Sequence, residues 1–302
     1  MVVYHGDINE DGVWDFIETE YGNDNKLYPR RSASVIAEAM PWITDRFSSY
    51  THYSNMNLTE LFGSSLIQKM NKLEVTTLES MVFLQKENRF IPRPLPFEAQ
   101  FSSAYSPVVA DFNNDGLLDM AISQNQFNLS KEQSRDDAGL GLILIGVGDG
   151  RFKSLDINES GFVVPGEGRA AAISDFNHDG RMDIIVGQNG NLPRLFKNQS
   201  KRRGLRVVLK GDPGNVKGVG ASIRLHYNAQ AGGVHIVRLG SGYLSQNSTT
   251  QIIGNSEEAS GLLVNWPSSN TKQNSMEYFK LSPMQTEVIA EKGKGTVWQS
   301  SN

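Results

Sequence analysis

The chain runs to 302 residues, room for one large β domain or two ordinary ones, and two is the expectation. Hydrophobic residues make up 38%, so a core is available; 29 glycines beside only 21% charged residues predict short strands and tight turns, not disorder. A net charge of −4 is the wrong sign for a counterion-release grip on nucleic acid or anionic lipid. Zero cysteines exclude disulfides, thiolate zinc sites, iron–sulfur clusters and cysteine nucleophiles, and leave the compartment open. The longest uncharged apolar run, residues 139–148, is about half a membrane span, and residues 1–20 lack the layout of an export signal.

In chain order, an apolar run at 2–4 leads into Asp7-Ile-Asn-Glu-Asp-Gly-Val-Trp-Asp15, and a second run follows at 16–17. The same pattern, D-x-N-x-D-G-x-x-D, returns at 111–119 between apolar runs at 107–110 and 120–122, and at 175–183 between runs at 170–173 and 184–186. Each copy reads as strand, acidic turn, strand. The second and third copies start 64 residues apart, at Asp111 and Asp175, which suits one four-stranded sheet with loops; the first pair lies roughly 40 residues further apart. Apolar residues recurring every three or four positions through 34–40 and 58–70 predict two or three helices in an insertion at about 31–75. Strands are expected at 78–84 and 140–145, the latter turning at 148–150. Sheets repeated at this period suggest a propeller, here over 1–200. After the basic stretch 197–204, strands at 205–210, 222–227, 234–239, 251–253, 262–266 and 287–290 define a second, all-β domain over 204–292, with a tail at 293–302.

The acidic turns have the donors of a hard-cation cage. Glycine at position 6 lets the backbone curl, so that positions 1, 3, 5 and 9 direct side-chain oxygens inward and position 7 offers its carbonyl. The candidate ligands are Asp7, Asn9, Asp11, Val13 and Asp15; Asp111, Asn113, Asp115, Leu117 and Asp119; and Asp175, Asn177, Asp179, Arg181 and Asp183. All-oxygen sets with loose geometry suit Ca²⁺ better than Mg²⁺, so up to three Ca²⁺ ions are expected. Glu18 makes the first copy fit the EF-hand expression, but Ile122 and Val186 stand at that position in the others, and the flanks are β-like. A metal-free Asn/Asp/Gly turn is the alternative for any single copy; recurrence in all three weighs against it.

With their flanking strands, these loops resemble the FG-GAP or VCBS repeats of integrin-α-type β-propellers. Residues 95–100, 135–138, 141–152, 168–169 and 194–198 resemble large bacterial surface proteins that join such repeats to an ASPIC/UnbV domain. The phrases at 218–225, 240–247 and 264–268 are similar to that last domain, an architecture shared by the cartilage acidic proteins of animals. The resemblance implies a mainly β chain: a partial propeller of two to three blades with a helical insertion, then a small ASPIC/UnbV β domain. It further implies a secreted or cell-surface, calcium-stabilised, non-catalytic propeller; a protein or glycan ligand, met by loops of the blades or of the C-terminal domain, is the partner expected. Propellers of this kind use about seven blades, so the chain is expected to be a C-terminal fragment whose remaining blades and export signal lie in a missing N-terminal part, or an open arc whose exposed edges need partner strands.

Little else carries chemistry. His5, His52, His178, His226 and His235 are scattered, and neither H-E-x-x-H nor G-x-S-x-G occurs, so no enzyme is expected. The alternative is a polysaccharide-active enzyme or its accessory carbohydrate-binding module, using an acidic pair outside the loops. The Gly-rich run 211–220 reads as a loop, and Lys201, Arg202 and Arg203 as a solvated linker. Residues 240–247 suit either a sugar or peptide contact or a packed turn. Arg135, Asp136, Asp137 and Arg169 are expected in ion pairs between blades.

Overall fold

A computed structural model describes residues 1–130, 133–227, 230–267 and 275–298. The fold is mainly β, built from antiparallel sheets and one mixed sheet in which the strands Leu205–Lys210 and Glu287–Glu291 run parallel, with no closed barrel among the described residues. The chain divides into two compact units, Met1–Glu79 with Leu129–Ser134, and Ser80–Asn128 with Arg135–Asn302.

In the first unit, β1 (Val2–Gly6), β2 (Asp15–Tyr21), β3 (Leu27–Pro29) and β4 (Asn71–Glu74) form a sheet in the order β3-β2-β1-β4. Strand β2 alternates as a half-buried strand should: Asp15, Ile17 and Thr19 face inward while Phe16 faces out. Ile17 packs against the helical segment, α1 (Ala33–Ala39), a 3₁₀ turn at Pro41–Arg46, α2 (Tyr50–Ser54), α3 (Leu58–Phe62) and α4 (Ser64–Lys69), through Ile36, Ile43, Leu61 and Phe62. Such short helices need their ends satisfied. Asn57 and Glu60 do so for α3 with a reciprocal capping box. The insertion expected at 31–75 is thus helical only to Lys69, in four short helices where two or three were expected; its last residues are β4, paired to β1.

The second unit opens with a hairpin, β5 (Met81–Lys86) and β6 (Arg89–Pro94). Next come two antiparallel meanders: β7 (Ala104–Ala110), β8 (Asp119–Gln124), β9 (Leu142–Gly146) and β10 (Phe152–Ser154), then, after the one-turn helix α5 (Ile157–Ser160), β11 (Glu167–Ser174), β12 (Asp183–Asn189) and β13 (Asn191–Phe196). Strand β8 is buried along its whole length, and residues from both meanders share one core that includes Val108, Ala121, Ile143, Ile173, Ile184 and Val186.

The remaining strands are β14 (Leu205–Lys210), β15 (Ser222–Tyr227), β16 (Gln230–Ala231), β17 (His235–Ile236), β18 (Gln251–Ile253), β19 (Gly261–Trp266), β20 (Ser275–Lys280), β21 (Glu287–Glu291) and β22 (Thr296–Val297). They make two sheets, β18-β14-β21 and β16-β15-β19-β20-β22, with β17 also on β15. Val207, Leu209, Val288 and Ala290 of one sheet meet Ile223, Leu225, Val264 and Trp266 of the other in a single core. Several strands differ from expectation, the two-residue β16 among them. The run at 234–239 yields only the two-residue β17, and β20 was not anticipated because its inward position holds Glu277, 4% exposed, where an apolar residue would mark a strand. That carboxylate accepts the amides of Gly293 at 2.9 Å and Gly295 at 3.0 Å. Of the stretch expected as a tail, Thr296–Val297 pairs with β20, and 299–302 lie outside the described residues, as does Ser268 of the phrase at 264–268.

Candidate metal loops

Each acidic loop joins the first two strands of an antiparallel sheet, β1 to β2, β7 to β8 and β11 to β12, and all three share one register. Gly6 pairs with Asp15, Ala110 with Asp119 and Ser174 with Asp183, so the residue before position 1 lies opposite position 9 in every copy. Flanks that are strands, not helices, dispose of the EF-hand alternative; Glu18 sits within β2, paired with Arg31 at 3.0 Å.

The backbone repeats as closely as the register. Position 6 is left-handed at Gly12 (φ 88°), Gly116 (φ 91°) and Gly180 (φ 76°), as the glycine predicts. Position 4 is left-handed too, at Glu10 (φ 59°), Asn114 (φ 56°) and His178 (φ 60°). Sequence reasoning missed this second turn, because Glu and His carry no signal for positive φ; only the Asn does.

Side chains and amides then interlock in the same way. The position 1 carboxylate accepts the amides of positions 5 and 6, at 3.0 and 2.9 Å for Asp7, 3.0 and 2.8 Å for Asp111, and 2.9 and 3.2 Å for Asp175. The Asn at position 3 accepts the position 5 amide and donates its own Nδ2 to the position 5 carboxylate. Position 9 reaches back to the amide of position 2, Ile8, Phe112 or Phe176. In the second and third loops it reaches further, Asp119 accepting from Gly146 at 2.8 Å and Asp183 from Asn198 at 2.7 Å. The donor chemistry, hard oxygen throughout, fits a divalent cation such as Ca²⁺. The carboxylates are nevertheless turned to backbone amides, and among the described residues no three His, Cys, Asp or Glu side chains gather into a group able to hold an ion. A cation would have to draw on the position 3 amide oxygen and the position 7 carbonyl as well.

The loops differ in charge compensation. In the second, Asp111 and Asp119 are 3% and 0% exposed, and among the described residues no basic side chain pairs with Asp111, Asp115 or Asp119. Burial raises the Asp111 carboxyl above its ordinary range against the pull of the Gly116 and Asp115 amides. Burial likewise pushes Asp119 up to about 6, the amides of Gly146, Phe112 and Asn113 opposing it and the Asp111 charge adding to it. Burial also raises Asp183 in the third loop. There, however, Arg181 stands 3.2 Å and Lys197 3.9 Å from Asp179, and Arg206 3.5 Å from Asp175. Arg181 was expected only for its backbone carbonyl.

Arg135, Asp136, Asp137 and Arg169 form no ion pair between blades among the described residues; the pairs they make, Arg169–Glu167 and Arg135–Asp137, each join residues two apart in sequence. Asp136 accepts the Ser103 amide at 2.7 Å, which holds its carboxyl below the ordinary range despite the opposing effect of burial. Arg169 pairs with Glu167 and lies 4.0 Å over the Tyr105 ring, while Arg135 pairs with Asp137 at the surface. Between them sits Asn125, fully buried, whose side chain bonds Ser102, Gly139 and Gly166. Residues 240–247 form a turn held to β11, Asn247 Oδ1 accepting the Ile173 amide at 3.1 Å and the Ser248 amide donating to Ile173 O at 2.9 Å, while Tyr243 and Leu244 are exposed. His178 is solvated, and 211–220 is a loop.

Among the described residues no helix is long and apolar enough to cross a membrane. No curated protein is significantly similar to the chain. Residues 211–296, running from the loop after β14 to β22, match the family described as ASPIC and UnbV, and this C-terminal stretch is an ASPIC/UnbV domain.

Proposed function

We propose that this chain is a non-catalytic, calcium-stabilised module that acts outside the cell or on its surface. Its acidic loops rigidify successive FG-GAP/VCBS-type propeller blades, and loops of the blades or of the ASPIC/UnbV domain contact a protein or glycan ligand. The observation that carries the calcium reading is the second loop. Two carboxylates buried to 3% and 0% exposure, met by backbone amides but by no basic side chain among the described residues, carry a charge that folding tolerates poorly. A hard divalent ion would offset it with the oxygens already on the loop. The blade reading is supported by the two consecutive meanders, each with its acidic loop between first and second strands, and by their contact, the Ala171 amide of β11 donating to Ser106 Oγ of β7 at 2.7 Å. Calorimetric titration with Ca²⁺ tests the proposal: binding at roughly 10⁻⁴–10⁻³ M, as in extracellular modules, is expected, and Asp111→Asn should abolish one site. Absence of any heat would overturn it.

A further inference from the structure

Three loops share one sequence pattern, one register and one backbone, yet their carboxylates meet different cations. In loops 7–15 and 111–119 no basic side chain among the described residues pairs with a carboxylate at position 1, 5 or 9; the only nearby pair, Lys69 with Glu10, involves position 4 and is exposed. In loop 175–183, two of the three carboxylates, Asp175 and Asp179, face three basic groups, Arg181, Lys197 and Arg206.

Arg206 is the unusual member. It belongs to β14, and its backbone is pinned on both sides, pairing with Ile252 of β18 and Glu287 of β21. Its side chain is 16% exposed, and its Nε is buried without a hydrogen-bond partner, 3.5 Å from the fully buried Asp175 carboxylate. The other end of the guanidinium is taken by Glu287. Just before it, the Gly204 amide donates to Gly180 O at 2.9 Å, and a Cβ on Gly180 would come within 3.0 Å of Gly204 O. The segment entering the C-terminal domain therefore runs along the loop with its positive charge at position 1, where a metal would bind. A divalent ion added there would face the repulsion of Arg206 and Arg181 at close range in a poorly screened site.

We infer that the third loop is closed by the protein's own guanidinium groups, Arg206 taking the electrostatic role that an ion takes in the first two, so that the chain binds two Ca²⁺ ions and not three. The loop is then a metal-independent clasp joining the β11–β13 meander to the first strand of the C-terminal domain. The count of two rests on the calcium reading proposed above; the clasp itself does not.

The test uses the full chain. Native mass spectrometry and calorimetry with CaCl₂ should give two ions for the wild type, one for Asp111→Asn and still two for Asp175→Asn. Three ions, with one lost in Asp175→Asn, would overturn the inference while leaving the calcium reading intact. No ion at all would strike the calcium reading, and the clasp is judged separately by hydrogen exchange in EGTA. The amides of Asp179 and Gly180 should exchange at least tenfold faster in Arg206→Gln than in the wild type, and equal rates would overturn it. Should Arg206→Gln fail to fold, Arg206→Met, which leaves both acceptor oxygens of Asp175 in place while removing the guanidinium, provides the same exchange measurement.

Discussion

Gly146 donates its amide to Asp119 Oδ1 at 2.8 Å, tying the last residue of the second acidic loop to a strand outside its own hairpin. A Cβ on Gly146 would fall 2.3 Å from Leu118 O, so only glycine permits this approach. The bond holds Asp119 in place, but burial dominates its protonation and pushes the carboxyl up to about 6.

This gives a pH dependence with a definite sign. The folded state keeps a proton on Asp119 that the unfolded chain releases near pH ~3.9. Its contribution to stability is complete below that value and is lost as the pH rises through about 6. The gap corresponds to at most about 3 kcal/mol. Urea denaturation in EGTA should show wild type losing about 1.4 kcal/mol relative to Asp119→Asn between pH 5 and pH 7.5. With saturating Ca²⁺ the sign should reverse, because the ion stabilises the ionised form. A difference independent of pH would contradict the assignment.

Calcium should be visible in melting. At ten to a hundred times Kd, each bound ion adds about 1.4–2.7 kcal/mol. The first loop lies in the unit Met1–Glu79 and the second in the other unit, so each unit gains one ion. Calorimetric scans in Ca²⁺ and in EGTA should therefore differ by at least about 3 °C in both units. A shift confined to one would mean that only one of these loops is a site.

The C-terminal domain touches the second loop through Gly254. A Cβ there would lie 2.1 Å from Asp111 Oδ2 and 2.7 Å from the Asn114 backbone. Gly254→Ala should destabilise by about 1–3 kcal/mol through overpacking and weaken the second calcium site, while leaving the first unchanged. Titration of this variant beside the wild type checks both parts.

The acidic loops were legible because five fixed positions recur three times, and a turn so encoded folds alike wherever strands flank it. The C-terminal domain was legible through its phrases at 218–225 and 240–247, inside the stretch that matches ASPIC and UnbV. What escaped was set by neighbours distant in sequence. Glu10 and His178 adopt left-handed backbone because the loop requires it, not because their side chains favour it. Arg206 reads as an ordinary outward residue of an alternating strand, and nothing local says that Asp175 waits opposite its side chain. Residues 240–247 are tied to β11 by the Asn247 side chain, a partner more than seventy residues away that no local pattern announces.

Glu277 hid β20 for a related reason and yields the last prediction. Its carboxylate is the inward residue of a central strand and is satisfied by the Gly293 and Gly295 amides, which anchor the turn leading into β22. Glu277→Ala removes both bonds and leaves a gap in the sheet, and should cost about 2 kcal/mol. Glu277→Gln keeps one acceptor oxygen of similar reach and should cost about 1 kcal/mol. Exchange of the Gly293 and Gly295 amides should accelerate in both variants, more in Ala than in Gln. If the Ala variant unfolds at the same urea concentration as the wild type, the buried carboxylate does not anchor that turn.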